Sequence, residues 1–198
     1  MKTIIISLKV FLFFTILTGV IYPLLITGIA QITFPAKANG SLVKTNDGKV
    51  AGSSLIGQSF DSDAYFSSRP SAVDYNPLPS GGSNFGLTNE KLIKLVNQRK
   101  INFIAHNKLD SLTTLPPEML FASGSGLDPH ISPQSAFLQA ERVANARSFT
   151  YQQKLKLKQL IESQVESPKL SILGKERINV LMLNIELDKL AKDTIEKK

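Results

Sequence analysis

Residues 122–132 read Ala-Ser-Gly-Ser-Gly-Leu-Asp-Pro-His-Ile-Ser and bring a hydroxyl (Ser125), a carboxylate (Asp128) and an imidazole (His130) into one short stretch. Those are the parts of a nucleophilic triad, in which the imidazole must stand between the other two groups. Close spacing along one extended loop works against that convergence. The conformational reading is simpler: Gly124 and Gly126 permit a tight backbone path, Asp128-Pro129 turns the chain, and Ser132 caps the next helix. A third reading lets the glycines and the helix N-terminus offer N–H groups to an anion or a partner loop. A membrane-anchored serine hydrolase using Ser125 and His130 therefore stands as the alternative function.

Ser80-Gly81-Gly82-Ser83-Asn84 invites the same choice between turn and phosphate cradle, but no Lys or magnesium ligand lies within the segment. Arg69, before Pro70, suits either a bidentate contact to a carboxylate or phosphate, or a structural bridge to loop carbonyls. Gln139 falls on or beside the face marked by Ala136, Ala140 and Val143, which predicts burial with a backbone hydrogen bond. The chain contains no Gly-x-x-x-x-Gly-Lys loop, no His-Glu-x-x-His helix and no Gly-x-Ser-x-Gly elbow. With no Cys and only His106 and His130 as imidazoles, thiolate sites and three-His metal sites are excluded. No catalytic residue and no metal site is assigned.

The elements that must position these residues are partly legible. Asp47-Gly48, after Asn46, marks a tight hairpin turn within residues 41–60. Residues 67–89 are crowded with Ser, Pro, Gly and Asn and show neither period, so they form a long loop anchored by Tyr65, Phe66, Tyr75 and Phe85. Thr88 or Asn89 caps a helix from Glu90 to about Ala105, with Leu92, Ile93, Val96 and Ile104 near one face and Lys91, Lys94, Arg99 and Lys100 elsewhere. Ser132 and Pro133 open a second helix whose apolar positions are Ala136, Phe137, Ala140, Val143 and Ala144. Thr150 caps a third over Tyr151 to Val165, ended by Pro168. Residues 178–190 fit both a strand alternation and a helical face of Val180, Leu183, Leu187 and Leu190.

Ahead of this lies a run without charge between Lys9 and Lys37, densest from Val10 to Ala30. As a helix those residues span roughly 31 Å, about the hydrocarbon thickness of a bilayer. Ala36-Lys37-Ala38 resembles a signal-peptidase site, yet the apolar core is longer than such peptides need, which favours an uncleaved anchor. The 198 residues then divide into a short cytoplasmic N-terminus (1–9), a transmembrane helix (10–36) and one extracytoplasmic mixed α/β domain (37–198), an α+β chain. Flanking lysines are balanced, so the orientation with the domain outside rests on long domains being translocated regardless of charge. The net charge of +7 permits attraction to anionic lipid or nucleic acid and demonstrates neither, and with no basic stripe interleaved with stacking aromatics it gives no argument for nucleic acid.

The order of anchor, Leu55-Ile56-Gly57-Gln58, Tyr65-Phe66-Ser-Ser-Arg69-Pro70-Ser71-Ala72, Tyr75-Asn76, Ser80-Gly81-Gly82-Ser83-Asn84, Ser123 to Ser132, Arg142-Val143-Ala144 and Ile178-Asn179-Val180-Leu181 resembles the KdpC family. These are C subunits of bacterial Kdp potassium-transporting P-type ATPases. Leu120-Phe121 before Ala122, and Ile178, depart mildly from the family pattern. The resemblance implies a non-catalytic subunit of the cell membrane. Its partners would be a channel-like KdpA-type subunit, an ATP-hydrolysing KdpB-type subunit, a small KdpF-type subunit, and membrane lipid. It also implies a catalytic chaperone that raises the ATP affinity of the B subunit, with Gln139 and the Ser/Gly segments matching candidates for nucleotide contact. ATP is then a cofactor only through the B subunit. An extracytoplasmic domain cannot touch cytoplasmic ATP, which favours an assembling role. In that role Arg69, Ser80, Gly81, Gly82, Asn84, Ser123, Gly124, Ser125, Gly126, Asp128 and His130 form the partner surface.

Overall fold

The computed structural model describes residues 2–45, 47–170 and 172–195, which fall into two units, 1–53 and 54–198. In the first, α1 (Lys2–Ile16), a π turn (Leu17–Ile21) and α2 (Tyr22–Thr33) make one continuous apolar helix, beginning seven residues before the expected Lys9 boundary. The π turn has a local cause. Pro23 donates no hydrogen bond and its ring would press on the Gly19 carbonyl; just before it, the helix widens and Tyr22 N–H bonds to Leu17 O. Thr18 and Thr33 return their hydroxyls to Phe14 O and Ile29 O, both at 2.7 Å, so neither presents a free polar group on the apolar surface. After Phe34, α3 (Pro35–Ala38) is a single turn. Strands β1 (Leu42–Lys44) and β2 (Val50–Ser53) pair antiparallel, Leu42 opposite Ser53, with Gly48 at φ +76° in the turn. Asn46 of the expected turn lies outside the described residues.

The second unit is built on helices: α4 (Glu90–Asn107), a 3₁₀ turn (Pro117–Met119), α5 (Pro133–Ala146), α6 (Tyr151–Ser163) and α7 (Val180–Ile195). Short strands β3 (His130–Ile131) and β4 (Ile178–Asn179) pair antiparallel. Side chains fix the helix starts. Asn89 Oδ1 accepts from Lys91 N and Leu92 N, Ser132 Oγ from Ser135 N, and Thr150 forms a reciprocal capping box with Gln153. The 178–190 ambiguity resolves as both: two strand residues pair with β3, then Val180, Leu183 and Leu187 turn one helical face into the core.

Two facial assignments need correction. On α5, Phe137 is 39% exposed; Gln139 is buried as its place beside the apolar face predicts, and Arg142 takes a further buried position. On α4 the inward positions are Leu92, Val96, Arg99, Phe103, Ile104 and Asn107, while Ile93 faces water. Arg99 turns inward because its guanidinium Nη1 reaches Leu120 O at 2.9 Å. The helices close over Phe66, a fully buried residue of the long loop, together with Ile131, Val143, Leu157, Ile161, Ile178, Leu183 and Leu187. Residues 67–89 contain no helix or strand, as expected from their composition, and the irregular path extends back to residue 54, so the β-structure of the 41–60 segment ends at Ser53.

Phe66→Ala is expected to cost about 3–5 kcal/mol, the range for a buried aromatic. Phe137→Ala should cost under about 1 kcal/mol. Urea unfolding of the detergent-solubilised chain measures both; equal costs would contradict the core described here.

Candidate functional site

The loop backbone at residues 63–69 enters the core without a strand to pair with, so its polar groups need partners from side chains. Two primary amides supply them in the same bidentate manner. Asn184 on α7 accepts from Phe66 N at 2.9 Å and donates to Phe66 O at 2.9 Å. Gln139 on α5 accepts from Ser67 N at 2.7 Å and donates to Ser67 O at 3.3 Å. Gln139 also donates to Ser135 O and accepts from Arg142, which uses every hydrogen-bonding capacity of its amide. Its side chain is fully buried.

Arg142 completes the clamp. Its Nε donates to Asn107 Oδ1, Nη1 to Asp63 O and Tyr65 O, and Nη2 to Ser67 Oγ and Gln139 Oε1, so all five N–H groups are engaged. Burial lowers its pKa from the ordinary arginine value. Arg147 repeats the device one turn later, donating to Ala64 O and Asp188 while its guanidinium stacks 4.7 Å from the Tyr65 ring. The Tyr65 hydroxyl itself bonds Asp188 at 3.1 Å.

The expected partner-surface residues form a second cluster, and most of it is assembled by self-contact. Gly81 N–H donates to Ser125 O at 2.9 Å, joining the two Ser/Gly loops directly. Gly126 holds φ +70°, and a Cβ there would lie 2.7 Å from Gly81 O, so only glycine fits this junction. Gly57, which donates to Leu127 O, would similarly place a Cβ 2.8 Å from Asp128 O. Arg69 Nη1 meets Asp128 Oδ2 at 2.6 Å, and Nη2 reaches Phe121 O at 3.4 Å. Asp128 Oδ1 lies 3.1 Å from His130 Nδ1 and accepts His130 N–H. Thus Arg69, Gly81, Gly82, Ser123, Gly124, Ser125, Gly126, Asp128 and His130 come together. Ser80, Asn84, Gly124 and Ser125 are exposed on the outside of the junction.

The triad reading finds only half its geometry. His130 touches Asp128, but Ser125 Oγ accepts from Leu127 N at 3.1 Å and lies 3.4 Å from Ser123 Oγ; among the described residues no hydrogen bond joins it to His130. The anion expected at the N-terminus of α5 is an internal one. Glu118 Oε1 accepts from Ser132 N and from Ser135 Oγ at 2.6 Å, and although burial pushes its pKa up, these bonds bring it below the ordinary value. Burial likewise raises Asp128, but the His130 side-chain and backbone bonds, with the Arg69 charge, outweigh that and lower it to about 2. A cleft of 480 Å³ opens beside this cluster, lined by Arg69, Asp128, His130, Lys169, Lys175 and Arg177 among others. No group of three or more metal-ligating side chains occurs among the described residues.

Spacing alone left Arg142, Asn184 and Glu118 unassigned. Gln139 and Arg142, three apart among alanines on an apolar face, carried the signal, as did Asn184 four residues after Val180 in an otherwise apolar helical stripe.

A helix long and apolar enough to cross a membrane is followed in the chain by a helical unit with an elaborate loop face. The family model described as KdpC, K+-transporting ATPase, c chain, matches residues 4–189, and the chain belongs to that family. The Potassium-transporting ATPase KdpC subunit of Leptospira interrogans is 47% identical over 183 residues, 92% of each chain. That of Geotalea uraniireducens is 43% identical over 195 residues, 97% of this chain and all of the other. The subunit of the same name in Pectobacterium atrosepticum is 46% identical over 185 residues, covering 92% of this chain and 94% of its own.

The depressed Asp128 pKa gives a signed pH dependence. Its contribution is complete above the unfolded carboxylate value near 4 and is lost as pH falls through about 2. The melting temperature of the wild-type chain should therefore drop across that window, with a shallower drop in Asp128→Asn; parallel curves would contradict the assignment. Separately, Gly126→Ala is expected to destabilise by more than about 1 kcal/mol, measured by denaturant unfolding.

Proposed function

We propose that this chain is the non-catalytic KdpC subunit of an ATP-driven potassium uptake complex, held in the cell membrane by one N-terminal span. Its role is to assemble and stabilise the complex, with a KdpA-type channel-like subunit, a KdpB-type ATPase and a KdpF-type small subunit as partners. The observation that carries this reading beyond family membership is the loop junction. Arg69, Asp128, His130 and the two Ser/Gly loops bind one another, so they build a defined outer face from Ser80, Asn84, Gly124 and Ser125 rather than a nucleophile with its base. We assign that face to the KdpA-type subunit on the extracytoplasmic side.

The chaperone effect on ATP affinity is, in this reading, indirect. Gln139 has its whole amide committed to Ser67, Ser135 and Arg142, and a nucleotide contact would have to displace buried bonds at a cost of a few kcal/mol. A contribution passed through the membrane helices is instead a coupling free energy, reciprocal for binding: if this subunit tightens ATP, ATP tightens the hold on this subunit.

Ser80→Arg is expected to lower recovery of the co-expressed complex several-fold in affinity purification while leaving the melting temperature of the chain unchanged. Proteolysis of intact spheroplasts should remove a C-terminal tag. A protected tag would put Gln139 and the Ser/Gly loops on the side of the nucleotide and overturn the indirect mechanism. Covalent labelling of Ser125 by a fluorophosphonate would support the hydrolase instead.

A further inference from the structure

Residues 166–170 and 172–177 form a narrow hairpin-like arm that makes one wall of the cleft beside Arg69 and Asp128. Glu166 and Arg177 exchange both backbone hydrogen bonds, at 2.8 and 3.2 Å, and their side chains close the neck through a 2.9 Å ion pair. Further out, Lys169 and Leu173 exchange a second pair at 3.0 and 2.9 Å. The tip carries Leu170, Ile172 and Leu173, which are 83, 82 and 63% exposed. Leu170 also sits at φ +55°, a left-handed conformation that a bulky residue rarely adopts. Nothing about folding this unit calls for three aliphatic side chains in water at the end of a clamped hairpin, since soluble surfaces scatter such residues singly.

We propose that this tip inserts into the interfacial region of an anionic lipid bilayer as a second membrane contact. The inference rests on the reading of α1–α2 as a membrane span. Three features select lipid over a protein partner. The aliphatics project from a protrusion that can enter a fluid surface, and the tip has none of the aromatic anchors that dominate protein interfaces. Lys169 and Lys175 stand exposed on its two shoulders, and with Glu176 exposed beside Lys175 and Arg177 paired with Glu166 the protrusion keeps a net positive charge for phosphate headgroups. Finally, the chain that carries the tip also carries the apolar helix, so insertion of the tip is a second, intramolecular contact with a bilayer.

The chain contains neither Cys nor Trp, so one introduced cysteine gives a unique probe. The full chain bearing Ile172→Cys, labelled with an environment-sensitive fluorophore, is reconstituted in phosphatidylcholine vesicles with and without phosphatidylglycerol. Leu112→Cys, on an exposed loop, serves as the aqueous reference, and Val20→Cys, in the apolar helix, as the lipid reference. The expected result is blue-shifted emission at position 172 and several-fold stronger quenching by spin-labelled lipid than at 112. Phosphatidylglycerol should deepen the effect, and Lys169→Glu with Lys175→Glu should reduce it while position 20 is unchanged. Quenching at position 20 with water-like emission at 172 overturns the tip contact alone. A blue shift at 172 without lipid quenching means a protein contact and also overturns it. Absence of quenching at position 20 overturns the membrane span, and the tip proposal with it.

Discussion

The constraint on which the second unit depends is the burial of loop backbone that has no strand beside it. Phe66 must enter the core to close it, and its peptide groups go in with it. Each unpaired buried N–H or C=O would cost about 1–3 kcal/mol, enough in combination to cancel the burial of the ring. Asn184 and Gln139 remove that cost by imitating the exchange of two hydrogen bonds that a neighbouring strand would offer. The sheet is replaced by two amides on two helices, which also fixes how α5 and α7 are spaced across the loop.

The same constraint explains a guanidinium in the interior. Arg142 faces two carbonyls, two amides and a hydroxyl instead of a carboxylate partner, and each of its five donors has an acceptor. A charge held this way tolerates no partial arrangement, because losing one acceptor leaves a buried cation under-solvated. The network therefore favours a single path for residues 63–69, and that path delivers Arg69 to Asp128. Tyr75 then caps the carbonyl of Arg69 at 2.5 Å, so the chain is held on both sides of the ion pair.

What the sequence revealed follows the reach of each signal. Caps, the long loop, the hairpin and the apolar helix are local, and all were readable from neighbouring residues. The Ile178–Asn179 strand and the helix that follows share one apolar run, so periodicity alone left both open; only pairing with His130–Ile131 separates them. Hydrophobicity alone places Phe137 and Ile93 inward, because it does not report which polar side chains the core needs. The helical face does predict burial of Gln139, but Arg142 and Arg99 take inward positions for loop carbonyls far along the chain, and no helical period reports an acceptor that distant. The residues proposed for a partner surface were legible as a set that comes together, but the glycines are fitted to one another, which spacing within either loop could not show.

That mutual fit bears on how the loop face can work. A binding surface made of irregular backbone ordinarily loses conformational freedom when its partner arrives, and the loss subtracts from affinity. Here the ordering is achieved during folding: Gly81 on Ser125, Gly126 against Gly81, Gly57 against Asp128, and the Arg69 bridge each hold one loop to another. The exposed residues at the junction are consequently presented in one arrangement before any partner is met. The depressed Asp128 pKa keeps its carboxylate charged across the whole physiological range, so the bridge that secures the face does not loosen with ordinary changes in pH. If the subunit docks through this face, as proposed above, the entropy cost of ordering it has already been met by its own fold.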